Sequence, residues 1–425
     1  MAKQKILHNL INVITVFLFS SFVLFESYTW GKFAFLAASV AICILGLIER
    51  GETGIRMDAF VWLNLVFIIY VLLTAFWAEE PESTMIMARS LFRTFACAYI
   101  VYLYFLEEKD IFRLLRIVMW AGYVVALYSL AFYGMDELLK AGQDRSLRAG
   151  NEFTNVNSIG LCCALSCMIQ MNEFLEKRNR WTALLLIPTI IVIGATQSRK
   201  AFLFLIVGII TSFIIKNQEE LFINKIVKIF IGCTVAVFLI YALIQLGIFT
   251  GVRERVQMML SSFTGKGKVD GSTILRKRMI KIGLEEFFEY PIGGIGMANS
   301  YFITAKYLGW KTYLHNNFVE LLACGGIFAF IFYYAIYVYL FCSLWKYRNE
   351  DRKQAMFFAV WLLIMLILDY GNVSYYSKDQ NFYLMIHFIN IENLKRKAMV
   401  KQDGNSKICE GVKQVYNGQK LSFFD

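Results

Sequence analysis

The chain has 425 residues, of which 58% are hydrophobic and 18% charged, with a net charge of +11 and a mean hydropathy of +0.53. This composition excludes a soluble globular domain, because apolar stretches of membrane-crossing length recur from end to end. The basic balance of such a protein indicates loops that contact anionic membrane lipid, so we expect no nucleic-acid partner.

The apolar runs predict an all-α polytopic membrane protein with about twelve transmembrane helices, in a range of about 10 to 13. No internal repeat or separate soluble domain is evident, so residues 1–425 are expected to form a single integral membrane domain. The run 318–345 is too long for a bilayer core of about 30 Å, so we expect it to tilt or to emerge from the membrane. The predicted spans are 10–25, 33–48, 59–78, 91–106, 115–134, 156–171, 182–197, 201–215, 226–249, 318–345, 355–370 and 380–391.

The distribution of Lys and Arg predicts the orientation of these helices. With the N-terminus in the cytoplasm, the short cytoplasmic loops hold roughly twice as many basic residues as the short outer loops, which satisfies the positive-inside rule. Both termini are then cytoplasmic, and residues 392–425 form a basic cytoplasmic tail. Two extracytoplasmic segments follow: a loop at 135–155 and a long loop at 250–317.

The first outer loop carries Arg145 and Arg148 and leads through Gly150 to Asn157. Arginine, glycine and asparagine supply positive charge, flexible turns and amide hydrogen bonds, which a sugar or phosphate site requires. An ordinary polar loop would have a similar sequence, so both interpretations stay open here.

Arg199 and Lys200 stand in a short outer turn between two apolar runs. Two cations in such a turn oppose the positive-inside bias, and a charge near hydrocarbon is costly unless it is paired. A guanidinium group can bind phosphate oxygens in a bidentate fashion. The alternative is that both side chains extend to the lipid headgroups.

The long outer loop is predicted to contain an amphipathic helix that begins at Ser272 or Thr273 and ends before Pro291. Its apolar stripe is Ile280, Gly283, Leu284, Phe287 and Phe288, with spacing typical of a surface-lying helix. Arg276 falls on the same side as this stripe. We expect it to meet an anion there, or alternatively to form a structural salt bridge.

His315 precedes Asn316 where the chain returns to an apolar run, with Glu320 one turn into that run. A neutral imidazole can accept a proton from a hydroxyl at neutral pH. A purely structural histidine is the alternative. The nine cysteines form no CxxC pair and the outer loops contain no Asp-rich motif, so no metal and no cofactor are predicted.

In their order along the chain, these residues resemble those of bacterial O-antigen ligases and Wzy-type polysaccharide polymerases. The resemblance is most specific over about 145–330. It rests on Arg148-Ala-Gly, Ser198-Arg199, Arg276 before Pro-Ile-Gly-Gly-Ile-Gly, and His315-Asn316 followed by Gly325-Gly326.

The resemblance implies a metal-independent glycosyltransferase of the GT-C-like type in the bacterial cytoplasmic membrane, with its active site on the outer face. His315 and Arg276 would be catalytic, with His315 acting either as a base or as a group that positions the acceptor. The implied partners are an undecaprenyl-pyrophosphate-linked oligosaccharide, an acceptor glycan and membrane lipid, and a chain-length regulator and a flippase are further candidates. Substrate-binding residues would be Arg199, Arg148, Arg145, Lys200, Asn316, Asn157 and Glu320.

Three functions fit these residues to different degrees. A polymerase that joins lipid-linked repeat units into O-antigen, capsule or exopolysaccharide is favoured, because no specialised acceptor domain is evident. A ligase would use the same donor with another acceptor. A flippase or polysaccharide exporter should carry charges along a path through the bilayer, and the polar residues here gather on one side instead.

Overall fold

The computed structural model describes residues 2–26, 28, 30–50, 54–107, 110–144, 155–177, 184–216 and 271–419, with isolated positions between 230 and 261. Regular structure within these residues is helical, as predicted. The helices are α1 (Ala2–Leu24), α2 (Gly31–Arg50), α3 (Ala59–Leu73), α4 (Pro81–Leu106), α5 (Ile111–Gln143), α6 (Val156–Lys177), α7 (Leu186–Thr196), α8 (Arg199–Lys216), α9 (Gly271–Glu289), α10 (Ser300–Leu308), α11 (Asn317–Lys346), α12 (Arg352–Leu368) and α13 (Lys378–Gln419).

Six described helical segments are long and apolar enough to cross a membrane. They overlap six of the predicted spans and support a helical membrane protein. The other predicted spans stay predictions, and the one at 226–249 lies largely outside the described residues. The six segments are Gln4–Leu24, Phe33–Arg50, Ala59–Phe76, Pro81–Leu106, Ile111–Gln143 and Asn317–Lys346.

Helices continue past two of the predicted span boundaries. Residues 135–143, predicted as the start of an outer loop, continue α5 beyond a break at Gly134, where φ is +73°. Leu138 and Ala141 in this extension are buried, so packing maintains the helix after the glycine. Helix α13 likewise continues past the predicted end of a span at residue 391 and runs to Gln419, and the cytoplasmic tail from residue 392 stays a prediction.

The long apolar helix α11 is broken near its start. Gly326 has φ +64° and ψ −166°, a conformation that only glycine adopts readily. The break leaves a short first segment and a second segment, residues 327–346, whose length of about 30 Å matches a bilayer core. It therefore resolves the excess length that the sequence indicated for this run.

The Gly-rich segment 291–296 packs backbone against backbone at this break. The Ile295 and Gly296 amides donate to the carbonyls of Ala323 and Cys324 at 3.1 and 2.8 Å, and the Ile327 amide donates to Pro291 at 2.9 Å. These bonds satisfy polar groups that a continuous helix would have paired internally. Because the Ile295 and Gly296 amides are occupied, neither is available to donate to a ligand.

Helices α9 and α10 and the first segment of α11 enclose a small hydrophobic core of their own, and we refer to these elements as the cap. The cap core is separate from the larger core of the helical bundle, although the two adjoin at the break in α11. Its buried residues are Met279, Ile282, Ile295, Ile303, Leu314, Val319 and Ala323.

The buried face of α9 overlaps the predicted apolar stripe without coinciding with it. Gly283 is buried, and Ile280 and Leu284 pack against the cap core. Met279 and Ile282, outside the stripe, are also buried, whereas Phe288 is 76% exposed. The element that α9 packs against decides which of its faces is buried. Here Gly283 lies against Val319 and Leu314 of the cap core. The charged residues Lys277, Arg278, Lys281, Glu285 and Glu289 are all exposed.

Ion pairs gather at the end of the bundle opposite to the cap. This end contains the start of α1, the ends of α2 and α4, and the α11–α12 connection, which the charge distribution predicted to share one side of the membrane. The side itself stays a prediction. The pairs include His8–Glu49, Arg50–Glu107, Arg56–Glu392, Arg116–Asp110, Lys397–Asp351 and Lys401–Glu350.

Replacing Gly326 with alanine should strongly destabilise the protein. A Cβ atom there would lie 2.1 Å from the Ile292 carbonyl oxygen, and the backbone would keep a positive φ. We expect a loss of about 2–4 kcal/mol from strain and steric overlap together. Thermal unfolding of the full chain in detergent, followed by size-exclusion fluorescence, measures the effect.

Gly309→Ala is the matched control. Gly309 has φ +86°, but no atom lies within 4 Å of its added Cβ. It should lose only about 1–2 kcal/mol through backbone strain. Equal melting temperatures for the two variants would show that the close approach at Gly326 is not the main constraint.

Candidate active site

His315 stands at the turn that leads into α11, in the cap. Its backbone has φ +56°, a left-handed conformation that histidine enters more often than most residues do. The Tyr313 ring packs on the imidazole with 4.0 Å between ring centroids. The turn and the ring contact together hold the imidazole half-buried at this end of the bundle.

Asn316 and Glu320 hold the segment that carries His315. Asn316 caps α11 through an Oδ1 contact of 3.0 Å with the Val319 amide, and its Nδ2 donates to the Tyr370 carbonyl at 3.1 Å. Both side chains are buried. They are thus engaged with protein groups, and the predicted substrate contact of either stays a prediction.

The two carboxylate oxygens of Glu320 have separate partners. One accepts a hydrogen bond from the Ser300 hydroxyl at the start of α10, and the other accepts one from the Leu314 amide at 2.8 Å. Glu320 therefore joins three parts of the cap and fixes the chain immediately before His315.

Lys200 and Arg199 approach this region from the bundle. Lys200 Nζ donates to the Gly371 carbonyl at 2.5 Å and to the Asn372 side chain, both in the α12–α13 connection. Arg199 Nη2 lies 3.5 Å from the Ser272 hydroxyl, in the first turn of α9. The turn between α7 and α8 is thus connected both to the cap and to the loop after α12.

Arg276 is half-buried and lies one turn further along α9. Burial, then the charge of Arg276, then that of Lys200 lower the pKa of His315 to about 4. The structure thus brings Arg276, Lys200 and His315 within electrostatic reach of one another. At neutral pH the imidazole is neutral and can accept a hydrogen bond or a proton.

The Ser198 and Gln197 side chains organise the other border of this region. The Ser198 hydroxyl donates to Asn157 Oδ1 at 3.0 Å. Gln197 has φ +50°, and its Nε2 donates to the carbonyls of Ala141 and Asp144 at 2.5 and 2.8 Å. Asn157 is therefore placed beside the turn that carries Arg199.

Arg145 and Arg148 lie outside the described residues. The chain approaches them from Asp144, whose carbonyl is bound by Gln197. Their part in the site stays a prediction.

A buried cluster around Asp369 was missed by the sequence reasoning. Its carboxylate accepts hydrogen bonds from Ser374 Oγ at 2.5 Å and from Tyr334 Oη at 3.0 Å, and its carbonyl accepts one from the Asn317 amide at 2.8 Å. This cluster anchors the loop that holds Lys200. An acidic residue at the end of an apolar run was the available signal, because a charge at that depth is costly without partners.

The arrangement combines three cationic side chains with one neutral imidazole. Such a set can hold a polyanion and receive a proton beside it. Within the described part of the chain, no group of three His, Cys, Asp or Glu residues is spaced to hold a metal ion.

Residues 183–334 match the Wzy_C family model, described as O-antigen ligase. The resemblance to the O-antigen ligase and Wzy-type family is thus confirmed over this segment. It contains Arg276, Lys200 and His315, which lie within electrostatic reach of one another, and Arg199, whose Nη2 approaches Ser272 one turn before Arg276. The match indicates a glycan-transferring membrane enzyme of the ligase or polymerase type. No curated protein matches the chain.

Replacing Arg276 with glutamine should raise the pKa of His315. Removal of a nearby positive charge favours the imidazolium form, so protonation would occur at higher pH than in the unmodified protein. Diethyl pyrocarbonate reacts with neutral imidazole, and mass spectrometry of the His315 peptide across pH gives the midpoint of reactivity.

Lys277→Gln is the control, because Lys277 is the next residue in α9 and is exposed. It removes the same charge on the outward side and should leave the His315 midpoint almost unchanged. An unshifted midpoint in Arg276→Gln would contradict the electrostatic coupling between these two residues.

Proposed function

We propose that the protein polymerises oligosaccharide repeat units carried on undecaprenyl pyrophosphate into a surface polysaccharide. The reaction would take place on the outer face of the bacterial cytoplasmic membrane. The observation that supports this most is the proximity of Arg276 and Lys200 to His315, with Arg199 contacting the first turn of the helix that carries Arg276, within the segment that matches the O-antigen ligase family.

The donor in this reaction already contains an activated bond. An acceptor sugar hydroxyl attacks the anomeric carbon of the donor glycan, and the bond from that carbon to the phosphate oxygen breaks. Polyprenyl pyrophosphate leaves with the electron pair. The three cationic side chains would stabilise the negative charge that develops on this group, which is the main electrostatic demand of the step.

His315 has two compatible roles in this step. As a neutral imidazole it can take the hydroxyl proton while the new glycosidic bond forms, or it can accept a hydrogen bond that orients the hydroxyl. The pKa of about 4 makes it a weak base. A bound pyrophosphate would offset the charges of Arg276 and Lys200, so the His315 pKa would rise when the donor is present.

The remaining predicted residues have supporting roles in this proposal. Asn316 and Glu320 position the His315 segment through their protein contacts. Asn157, Arg145 and Arg148 would contact the glycan or the pyrophosphate from the α5–α6 connection. The chemistry of arginine on pyrophosphate needs no metal ion, and metal independence is part of the proposal.

A ligase reaction is the second candidate, and the description of the matched family favours it. It uses the same donor and differs only in the acceptor, which would be a lipid A core, a protein or a wall polymer. A flippase or exporter is less compatible with the arrangement of charges, because the ion pairs between described helices gather at one end of the bundle and the predicted site at the other.

The proposal is tested in cells that contain the chain's own glycan pathway. Arg276→Ala removes a cation, and His315→Asn removes the proton acceptor while asparagine tolerates the left-handed backbone. We expect both to reduce polymer by at least about a hundredfold, as loss of a charge-stabilising or proton-transfer group does. Lipid-linked oligosaccharides are extracted, sized and compared with surface polysaccharide at matched expression.

The identity of the accumulating species discriminates between the candidates. Single lipid-linked repeat units exposed on the outer face support the polymerase. Long lipid-linked chains indicate a ligase, and repeat units retained on the cytoplasmic face indicate a flippase. Lys277→Ala should resemble the unmodified protein, and unchanged glycans in the two site variants would contradict the assigned site.

A further inference from the structure

Two arginines lie in the part of α4 that is predicted to cross the membrane. The helix has 26 residues and begins at Pro81, and the Thr84 hydroxyl in its first turn donates to the Met297 carbonyl at 2.7 Å, which places this end of α4 at the cap. At a rise of about 1.5 Å per residue, Arg89 and Arg93 lie about 12 and 18 Å along the helix from Pro81. Both backbone positions are therefore at the depth of the hydrocarbon, whose thickness is about 30 Å.

The described protein supplies neither arginine with a counter-ion. Arg89 is exposed and makes no hydrogen bond or ion pair with a described residue. Arg93 is half-buried, its Nε has no hydrogen-bond partner among these residues, and its Nη2 lies 3.5 Å from the Ser90 hydroxyl, at the limit of hydrogen-bond range. A cation at hydrocarbon depth costs free energy unless it is paired, so this part of α4 requires an anion.

A third cation reaches the same surface from the start of α13. The Lys378 ammonium lies 4.9 Å from the centroid of the Phe35 ring in α2, and the Arg93 guanidinium carbon lies 5.9 Å from the same centroid. An aromatic ring attracts a cation but has no net charge, so it neutralises neither of them. The next carboxylate along the chain, Asp379, accepts a hydrogen bond from the Ser377 hydroxyl.

The spacing of the two arginines suits a single anionic group. Arg89 and Arg93 are one helical turn apart, where Cβ atoms are about 6 Å from each other and like charges repel. An anion between them removes this repulsion. Side chains on a helix lean towards its N-terminus, so both guanidinium groups lean towards the cap and the lipid headgroups on that side. A guanidinium group binds phosphate oxygens in a bidentate fashion.

The surface around these cations is open to lipid. Met85, Ile86 and Phe92 of α4 are 38%, 56% and 55% exposed, and apolar side chains exposed on a membrane-crossing helix contact acyl chains. A ligand that reaches the arginines from this side needs acyl chains attached to its anionic group. Three cations repel the ammonium of a zwitterionic headgroup, so a headgroup with net negative charge is favoured.

We propose that Arg89, Arg93 and Lys378 bind the phosphate of an anionic glycerophospholipid in the leaflet on the cap side of the membrane. The acyl chains of this lipid follow the exposed apolar face of α4. The three residues are different from those of the candidate active site, so the inference does not depend on the proposed glycan transfer.

The test compares two double variants of the full chain. Arg89→Gln with Arg93→Gln removes the two intramembrane charges, and it should fold at least as stably as the unmodified protein in detergent without lipid. Lys277→Gln with Lys281→Gln is the matched control, because these exposed cations are also one turn apart but lie on α9, outside the predicted spans. Native mass spectrometry measures the binding of phosphatidylglycerol and phosphatidylcholine, and thermal unfolding measures the stabilisation by each lipid.

We expect phosphatidylglycerol to bind the unmodified protein and the control more tightly than phosphatidylcholine does, and to raise their melting temperatures. Its affinity should fall about 10- to 100-fold in the arginine double variant, the effect of losing hydrogen bonds to charged groups, and by a smaller factor in Lys378→Gln. Equal affinities of the two lipids, or unchanged phosphatidylglycerol binding in the arginine variant, would overturn the proposal. Displacement of phosphatidylglycerol by an equal concentration of undecaprenyl phosphate would assign the site to a lipid-linked substrate and would also overturn it.

Discussion

The break in α11 is the constraint on which the rest of this end of the molecule depends. Carbonyls released at residues 323 and 324 accept hydrogen bonds from the amides of Ile295 and Gly296. The Tyr70 hydroxyl of α3 donates to the Gly325 carbonyl at 2.7 Å. These contacts require two backbones to approach without an intervening Cβ, and glycine at 294 and 326 permits this. The exchange of helical hydrogen bonds for tertiary ones turns the first segment of α11 away from the bundle and into the cap.

The positions of the apolar helices could be predicted from the sequence, but their packing could not. Hydrophobic length indicates a span because a helix rises about 1.5 Å per residue and the bilayer has a limited thickness. Side chains that face lipid and side chains that face protein are equally apolar, so the sequence of α9 could not show that Met279 and Ile282 would be buried while Phe288 is exposed. The Gly325-Gly326 pair was noticed as part of a resemblance, whereas the break it causes depends on a partner thirty residues earlier.

The candidate site was partly predictable, because a charged side chain near a membrane costs free energy unless it is paired. Arg199 and Lys200 were singled out because they oppose the positive-inside bias. Arg276 was singled out because it falls on the apolar side of its helix, and His315 because it stands where the chain returns to an apolar run. Their proximity is a tertiary property that needed the structure. Asp369 was overlooked because one acidic residue at a helix end has no distinctive spacing, and its significance lies in buried partners from α11 and the following loop.

The positive charges of Arg276 and Lys200 act both on the His315 imidazole and on any anion nearby. Arg276 and Lys200 repel a proton from His315, and they attract any anion that enters the space between them. An incoming polyanion therefore changes the protonation equilibrium of His315 as a direct consequence of binding. In the proposed reaction, donor binding and proton acceptance by His315 would be thermodynamically linked without any movement of the chain.

The four candidate residues Arg199, Lys200, Arg276 and His315 come from two parts of the molecule. Arg276 and His315 belong to the cap, whose core is its own, whereas Arg199 and Lys200 belong to the turn between two bundle helices. The distance between the two pairs therefore depends on the contacts that hold the cap to the bundle, among them the hydrogen bond from the Asn317 amide to the Asp369 carbonyl at 2.8 Å. A substitution at these contacts can move one pair relative to the other without touching any of the four residues.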